Sequence, residues 1–310
     1  MNTQSNAVPE SPLDSQVIAP AAISATRRMY WSVQRELWES RSIYIAPLAV
    51  AALILVGFLI STIHLPDKMR GALALGPVEQ HQLIGQPYMF AALLIMGSTF
   101  VVALFYCLDA LHAERRDRSI LFWKSLPVSD LTTVLSKASI PLVVLPLLSF
   151  AIIVATQLIM LLLSTAVLLG SGLSVAKLWT QLPLFQMSLM LLYHLLAVHA
   201  LWYAPIYGWL LLVSGWARRA AFLWAGLPLL AIGVVEKIAF NTSHFAAMLE
   251  SRLSGGAAGA STASGSVLMP PMTQLTPGQF LISPGLWIGL GVAAAFLAAA
   301  VRLRRYQGPI

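Results

Sequence analysis

The sequence predicts an all-α polytopic membrane protein, and three observations carry that prediction. Of the 310 residues, 58% are hydrophobic and 10% charged, against roughly 45–50% and about 25% in soluble domains. Apolar stretches at 43–63, 88–111, 139–169, 184–216, 220–240 and 281–301 each reach the roughly 20 residues that a helix needs to cross the hydrocarbon. The basic residues between them are also unevenly placed. With the N-terminus inside, only Lys68, Arg70, Lys177, Lys237 and Arg252 of the 19 Lys and Arg fall in outer segments. Because that bias sets orientation, both termini and the segment 112–137 are expected in the cytoplasm. The net charge of +7 is then an orientation signal, with no nucleic acid expected as a partner.

Taken in order, residues 1–21 are polar and proline-bearing, without a basic start or an apolar core, and read as a disordered cytoplasmic tail. From 22 to 310 the chain reads as a single transmembrane domain. Within 22–42, Tyr30, Val33 and Leu37 share one helical stripe, Trp31 and Trp38 lie beside it, and Arg27, Arg28, Arg35, Glu36, Glu39 and Arg41 fill much of the remaining circumference. That pattern predicts an interfacial amphipathic helix lying along membrane lipid. Span one carries Pro47 near its start, where a missing amide donor matters least, and 64–87 reads as an outer loop with room for a short helix. Span two holds Ser98 and Thr99 at its middle, candidates to line a polar path or to allow close packing. Cys107, the only cysteine, reads as a small buried hydrophobe.

The segment 112–137 interrupts this apolar chain. Glu114, Arg115, Arg116, Asp117, Arg118 and Lys124 crowd together, with Ile120, Leu121, Phe122 and Trp123 among them and Leu126-Pro127 after. A short amphipathic helix stopped by the proline is expected, followed by a helix capped at Ser129 and Asp130. Span three contains Pro141 and Pro146, so a bend is expected. Span four is the most polar, with His194, His199, Tyr203 and Pro205. Two histidines five apart on a regular helix point roughly 140° apart, which disfavours a metal pair, whereas His199 and Tyr203 at i, i+4 are candidates for contact with cargo. The insert 241–280 includes the low-complexity run LSGGAAGASTASGS. The last span opens on Gly285-x-x-x-Gly289, a small-residue face suited to close packing with another helix or a second copy.

No phosphate-binding loop, HExxH, CxxC or GxSxG motif occurs, so any driving energy is expected from another chain or an ion gradient. The run from Glu114 to Ser129, ERRDRSILFWKSLPVS, resembles the permease subunits of ABC-2 type (type V) ABC transporters. In that family an acidic-basic cluster after span two leads into a short cytoplasmic coupling helix. The resemblance extends in architecture to the interfacial helix, the six spans and the long segment between spans five and six. It implies a non-enzymatic permease in a bacterial inner membrane, paired with a second permease, identical or homologous, and with two ABC ATPase subunits. ATP and Mg would be bound by those partners and no cofactor by this chain. Carried onto this sequence, it assigns the ATPase contact to Glu114, Arg116, Asp117, Ile120, Leu121, Phe122 and Trp123, with export of an amphipathic or hydrophobic substrate as the expected activity. Ser98, Thr99, His199 and Tyr203 are the candidate path residues. Two other readings fit the residues alone: a membrane anchor or sensor that recruits a soluble partner, and a proton-coupled secondary transporter using His194, His199 or Glu236.

Overall fold

The computed structural model describes residues 24–73, 76–125, 128–253 and 277–308. The expected tail at 1–21, the stop at Pro127 and residues 254–276 of the insert lie outside them. Among the described residues there is no strand. Six helical stretches are long and apolar enough to cross a membrane: Ser42–Ala72, Glu79–Arg116, Asp130–Gly170, Leu178–Trp202, Ala221–Phe240 and Pro284–Tyr306. The order is α1 (Ala25–Glu39), α2 (Ser42–Ser61), α3 (Leu65–Leu73), α4 (Pro77–Asp109), α5 (His112–Arg116), α6 (Ser119–Ser125), α7 (Asp130–Ser139), α8 (Leu145–Gly170), α9 (Ala176–Gln181), α10 (Leu184–His194), α11 (Ala204–Trp216), α12 (Ala221–Phe240), α13 (His244–Leu253), α14 (Pro277–Ile282) and α15 (Pro284–Tyr306).

Local chemistry accounts for several boundaries. Ser24 accepts from the Arg27 amide and opens α1. Ser129 accepts from the Thr132 amide at 3.1 Å with Asp130 in the first turn of α7, as its sequence predicts. The bend expected from Pro141 takes the form of a π segment, Ile140–Val144, joining α7 to α8. There the Leu145 amide reaches back five residues to the Ile140 carbonyl, which absorbs the donor that proline lacks.

Three expectations change. Residues 64–87 are not a loop: α3 follows α2 through a short 3-10 turn, and α4 begins at Pro77. Pro at the first helical position costs nothing there, because that amide would be unpaired anyway. The expected single span 184–216 divides into α10, a π segment Leu195–Trp202, and α11. Pro205 stands at the start of α11, after Tyr203 at φ −86°, ψ 0°. The segment after span two also breaks earlier than Pro127, at Arg118, whose φ of 58° is left-handed.

The helices pack as one bundle with its charged segments, α5, α6 and the termini of α1, α7 and α15, at one end. The core at that end gathers Ile43, Tyr106, Cys107, Leu145, Tyr207 and Leu211; a second cluster at the far end gathers Phe58, Tyr88, Met160, Leu168 and Leu178. Val33 and Leu37 seat α1 on the first cluster, while Tyr30, Trp31 and Trp38 remain exposed. Gln157, the strongly polar residue of span three, is buried and donates to the Tyr88 carbonyl at 3.2 Å.

Helices α11 and α15 approach closely at Gly208. A methyl group at Gly208 would stand 3.2 Å from the Ala293 carbonyl oxygen and 3.3 Å from Phe296 Cβ. It would therefore push against another helix's backbone. Gly208→Ala is expected to destabilise by about 1–3 kcal/mol, the usual cost of overpacking, whereas Gly97, with nothing within 4 Å, accepts Ala with no loss or a small gain. Thermal unfolding of the two variants in detergent measures the contrast.

Candidate functional site

The charged end is built on a broken helix. Where α4 stops, the free amides of Leu111 and His112 both donate to Ser214 Oγ of α11 at 2.9 Å, so the chain leaves the bundle at a defined point. After α5, the left-handed Arg118 reverses the path, and the short α6 follows. Ile120 is buried and holds α6 to the body, whereas Leu121 and Phe122 are each 59% exposed. Trp123 is half-buried, with the Arg35 guanidinium 3.9 Å above its ring. Lys124 Nζ donates to the Gln307 carbonyl at 3.0 Å, tying α6 to the end of α15. The result is two apolar side chains aimed outward from a helix clamped on its inner face.

Beneath α6 lies a buried ion cluster. Glu36 of α1 and Glu114 of α5 are 2% and 3% exposed. Lys137 Nζ of α7 bridges them, at 3.0 Å from both Glu36 oxygens and 3.1 Å from Glu114 Oε1. Glu114 Oε2 pairs with Arg304 of α15, whose Nε reaches Asp130 Oδ1 at 3.1 Å. Arg35 Nη2 lies 2.6 Å from Glu36 Oε1 and 3.4 Å from Glu114 Oε1. Tyr106 donates to Glu36 Oε2 at 2.9 Å. Three acids and three bases therefore neutralise one another, Glu36, Glu114, Lys137 and Arg304 buried and Arg35 and Asp130 at the partly exposed edge, joining α1, α4, α5, α7 and α15 at a single locus. A buried carboxylate holds its charge only with such partners.

Among the residues assigned from sequence, Arg116 and Asp117 are exposed and pair with each other at 3.0 Å. Leu121 and Phe122 are exposed with them, while Trp123 is partly covered by Arg35. Glu114 and Ile120 face inward, so their place in this structure is to hold α5 and α6 rather than to present a surface. Glu36, Lys137, Arg304, Arg35 and Tyr106 were missed as members of this site. A signal existed: Glu36 lies at i+3 from Val33, on the packed stripe of α1, and Lys137 at i+3 from the buried Val134. Their polarity alone had put them on the wet side.

Three of the four candidate path residues, Thr99, His199 and Tyr203, gather around Phe100 at mid-bundle, and Ser98 does not. Thr99 and His199 line one small cavity with Phe100, Pro141 and Tyr207; at about 10 Å³ it is the size of a single water site. The ring of Phe100 lies 4.9 Å from that of Tyr203 and 6.2 Å from that of His199. Ser98 is half-buried and, like Thr99, bonds to the Ile95 carbonyl of its own helix at 2.8 Å. The two π segments pack against each other here. They also correct the expected separation of the histidines: an i→i+5 register returns residues five apart to one face, and the rings of His194 and His199 lie 5.9 Å apart. A wider lateral groove of about 410 Å³ runs between α8 and α10, lined by Phe150, Leu158, Phe185, Leu189 and Leu192 with Gln157 and Ser188.

Lys137→Met leaves two buried carboxylates short of their shared cation and is expected to cost about 3–5 kcal/mol, as for one partner removed from a buried pair. Leu121→Ala and Phe122→Ala, on exposed positions, are expected within about 0.5 kcal/mol of the parent; denaturation monitored by circular dichroism separates these outcomes. Compared with known proteins, the chain matches no family model, no curated protein and no solved structure.

Proposed function

We propose that this chain is the permease subunit of an ABC-2 type transporter, an exporter of an amphipathic or hydrophobic substrate, with α6 as its coupling helix and α1 as its interfacial helix. The observation that carries the reading is the exposed Leu121–Phe122 pair on α6, within the stretch that resembles the family's coupling motif. Apolar side chains projecting from a clamped helix suit a pocket on a nucleotide-hydrolysing partner, and Arg116 and Asp117 beside them suit orientation of the docked surface. ATP and Mg belong to that partner. Closure of two ATPase subunits would press on α6, and the ion cluster offers a stiff route from α6 to α1, α7 and α15. The lateral groove falls in the size range of ligand pockets, and its apolar lining favours cargo that partitions into lipid. A second permease copy, or a homologous one, would complete the path. The fifth span, largely exposed along Phe222, Leu230, Val234 and Ile238, offers surface for it.

The reading places the charged end in the cytoplasm of a bacterial inner membrane. In the double variant Leu121→Ala/Phe122→Ala, co-purification of the chain's ABC ATPase partner is expected to be lost while membrane insertion persists; retained co-purification overturns the docking site. With Cys107 fully buried and silent, an impermeant maleimide is expected to label Ala246→Cys in intact cells and Ser125→Cys only after permeabilisation. The opposite pattern overturns the orientation.

A further inference from the structure

Helix α13 is held to the bundle at its two ends. Its start is a hinge. Asn241 adopts φ 52°, ψ 28° between α12 and α13, and Glu236 of α12 caps the first turn: its Oε1 accepts from Thr242 Oγ1 at 2.8 Å and from the His244 amide at 2.7 Å, and its Oε2 from the Phe245 amide at 2.9 Å. Between the ends no residue of His244–Leu253 is buried. The helix lies on the bundle without a core of its own.

Its other end is a clasp. The Arg252 guanidinium lies over the Trp202 ring, 4.2 Å from the centroid. It donates to the Gly285 carbonyl and, at 3.5 Å, to the Trp202 carbonyl. Trp202 Nε1 returns a hydrogen bond to the Arg252 carbonyl at 3.1 Å, and the Tyr203 hydroxyl donates to the Leu253 carbonyl at 3.0 Å. Gly289 makes room: a methyl group there would stand 2.7 Å from both terminal nitrogens of Arg252. Gly289 of the G-x-x-x-G run thus receives Arg252, while Gly285 meets the Trp202 ring of the π segment, the close approach to another helix that the sequence suggested.

The balance of forces in this clasp is the reason to read it as releasable. Burial pulls the Arg252 guanidinium below the usual arginine range, and no carboxylate offsets that among the described residues. Cation–π attraction and carbonyl hydrogen bonds hold it, while rehydration of an uncompensated cation favours letting go. A segment with few buried contacts and one such attachment opens at a small fraction of the global unfolding cost. Tyr203 lies directly under it, 8% exposed, with its ring 5.5 Å from that of His199.

We propose that α13 is a hinged strap, clasped by Arg252 onto Trp202, Gly285 and Gly289, whose release uncovers Tyr203 and the His199 cluster from the end of the bundle opposite the charged end. Hinge, clasp and covered residue all belong to this chain, so the inference stands apart from the transporter reading. The full chain in lipid nanodiscs tests it by two readouts: amide hydrogen exchange over 244–253 and hydroxyl-radical oxidation of the Tyr203 side chain. Arg252→Ala and, from the opposing helix, Gly289→Ala are each expected to raise both signals at least about tenfold, the scale of losing one charge-assisted hydrogen bond, with exchange in α11 and α15 unchanged. Arg252→Lys, which keeps the charge but cannot bridge two carbonyls while stacked, is expected to behave as Arg252→Ala. Unchanged signals in Arg252→Ala and Gly289→Ala overturn the clasp. Exchange rising equally in α11 and α15 also overturns it, by making Arg252 a support of the whole bundle.

Discussion

Two carboxylates, Glu36 and Glu114, are held out of water at one end of an otherwise apolar helical bundle, and the surrounding packing answers to them. Each needs cationic partners at hydrogen-bond distance, because an unpaired buried charge costs more than most single contacts return. Lys137 meets both from α7, Arg304 meets Glu114 from α15, and Arg35 meets both from α1. Helices distant in sequence are thereby fixed at one point, with angular precision that greasy side chains alone do not impose. The carrier of Leu121 and Phe122 stands on that point. Trp123 of α6 lies under Arg35, which itself pairs with Glu36 and Glu114.

Mid-bundle the constraint is different. Backbone geometry, not charge, sets the arrangement: two π segments, each near a proline, pack face to face around Phe100. Each inserts a wider turn; the one in span four turns His194 toward His199, and the two leave a space for about one water. π segments concentrate where a helix has reason to be irregular. Here the irregularity places His199 inside rather than against lipid. The far end closes over it through Tyr203 and the end of α13.

Much of this was legible beforehand. Apolar runs of sufficient length located all the spans, since hydrocarbon thickness leaves few other solutions. Ser129 and Asp130 marked the start of α7, and the crowding of charge after Asp109 marked where the chain emerges. Other features were not legible for identifiable reasons. Pro87 inside α4 and Pro77 at its start read as loop punctuation because a proline's local meaning depends on whether its helix is already supported by neighbours. Glu36 read as a wet residue because, Arg35 beside it apart, its partners lie 70 and 101 positions onward, at Tyr106 and Lys137.

By itself, then, the amino-acid sequence determined the helical class, the number and approximate limits of the spans, and the segment that leaves them, because those follow from hydropathy, proline chemistry and caps acting over a few residues. Only the tertiary structure decided which charges are interior, that Gly289 faces a guanidinium, and which histidines meet. Those outcomes depend on the pairing of distant segments and on the helical register at a fault, and a shift of one residue per turn reassigns every side chain beyond it to another face.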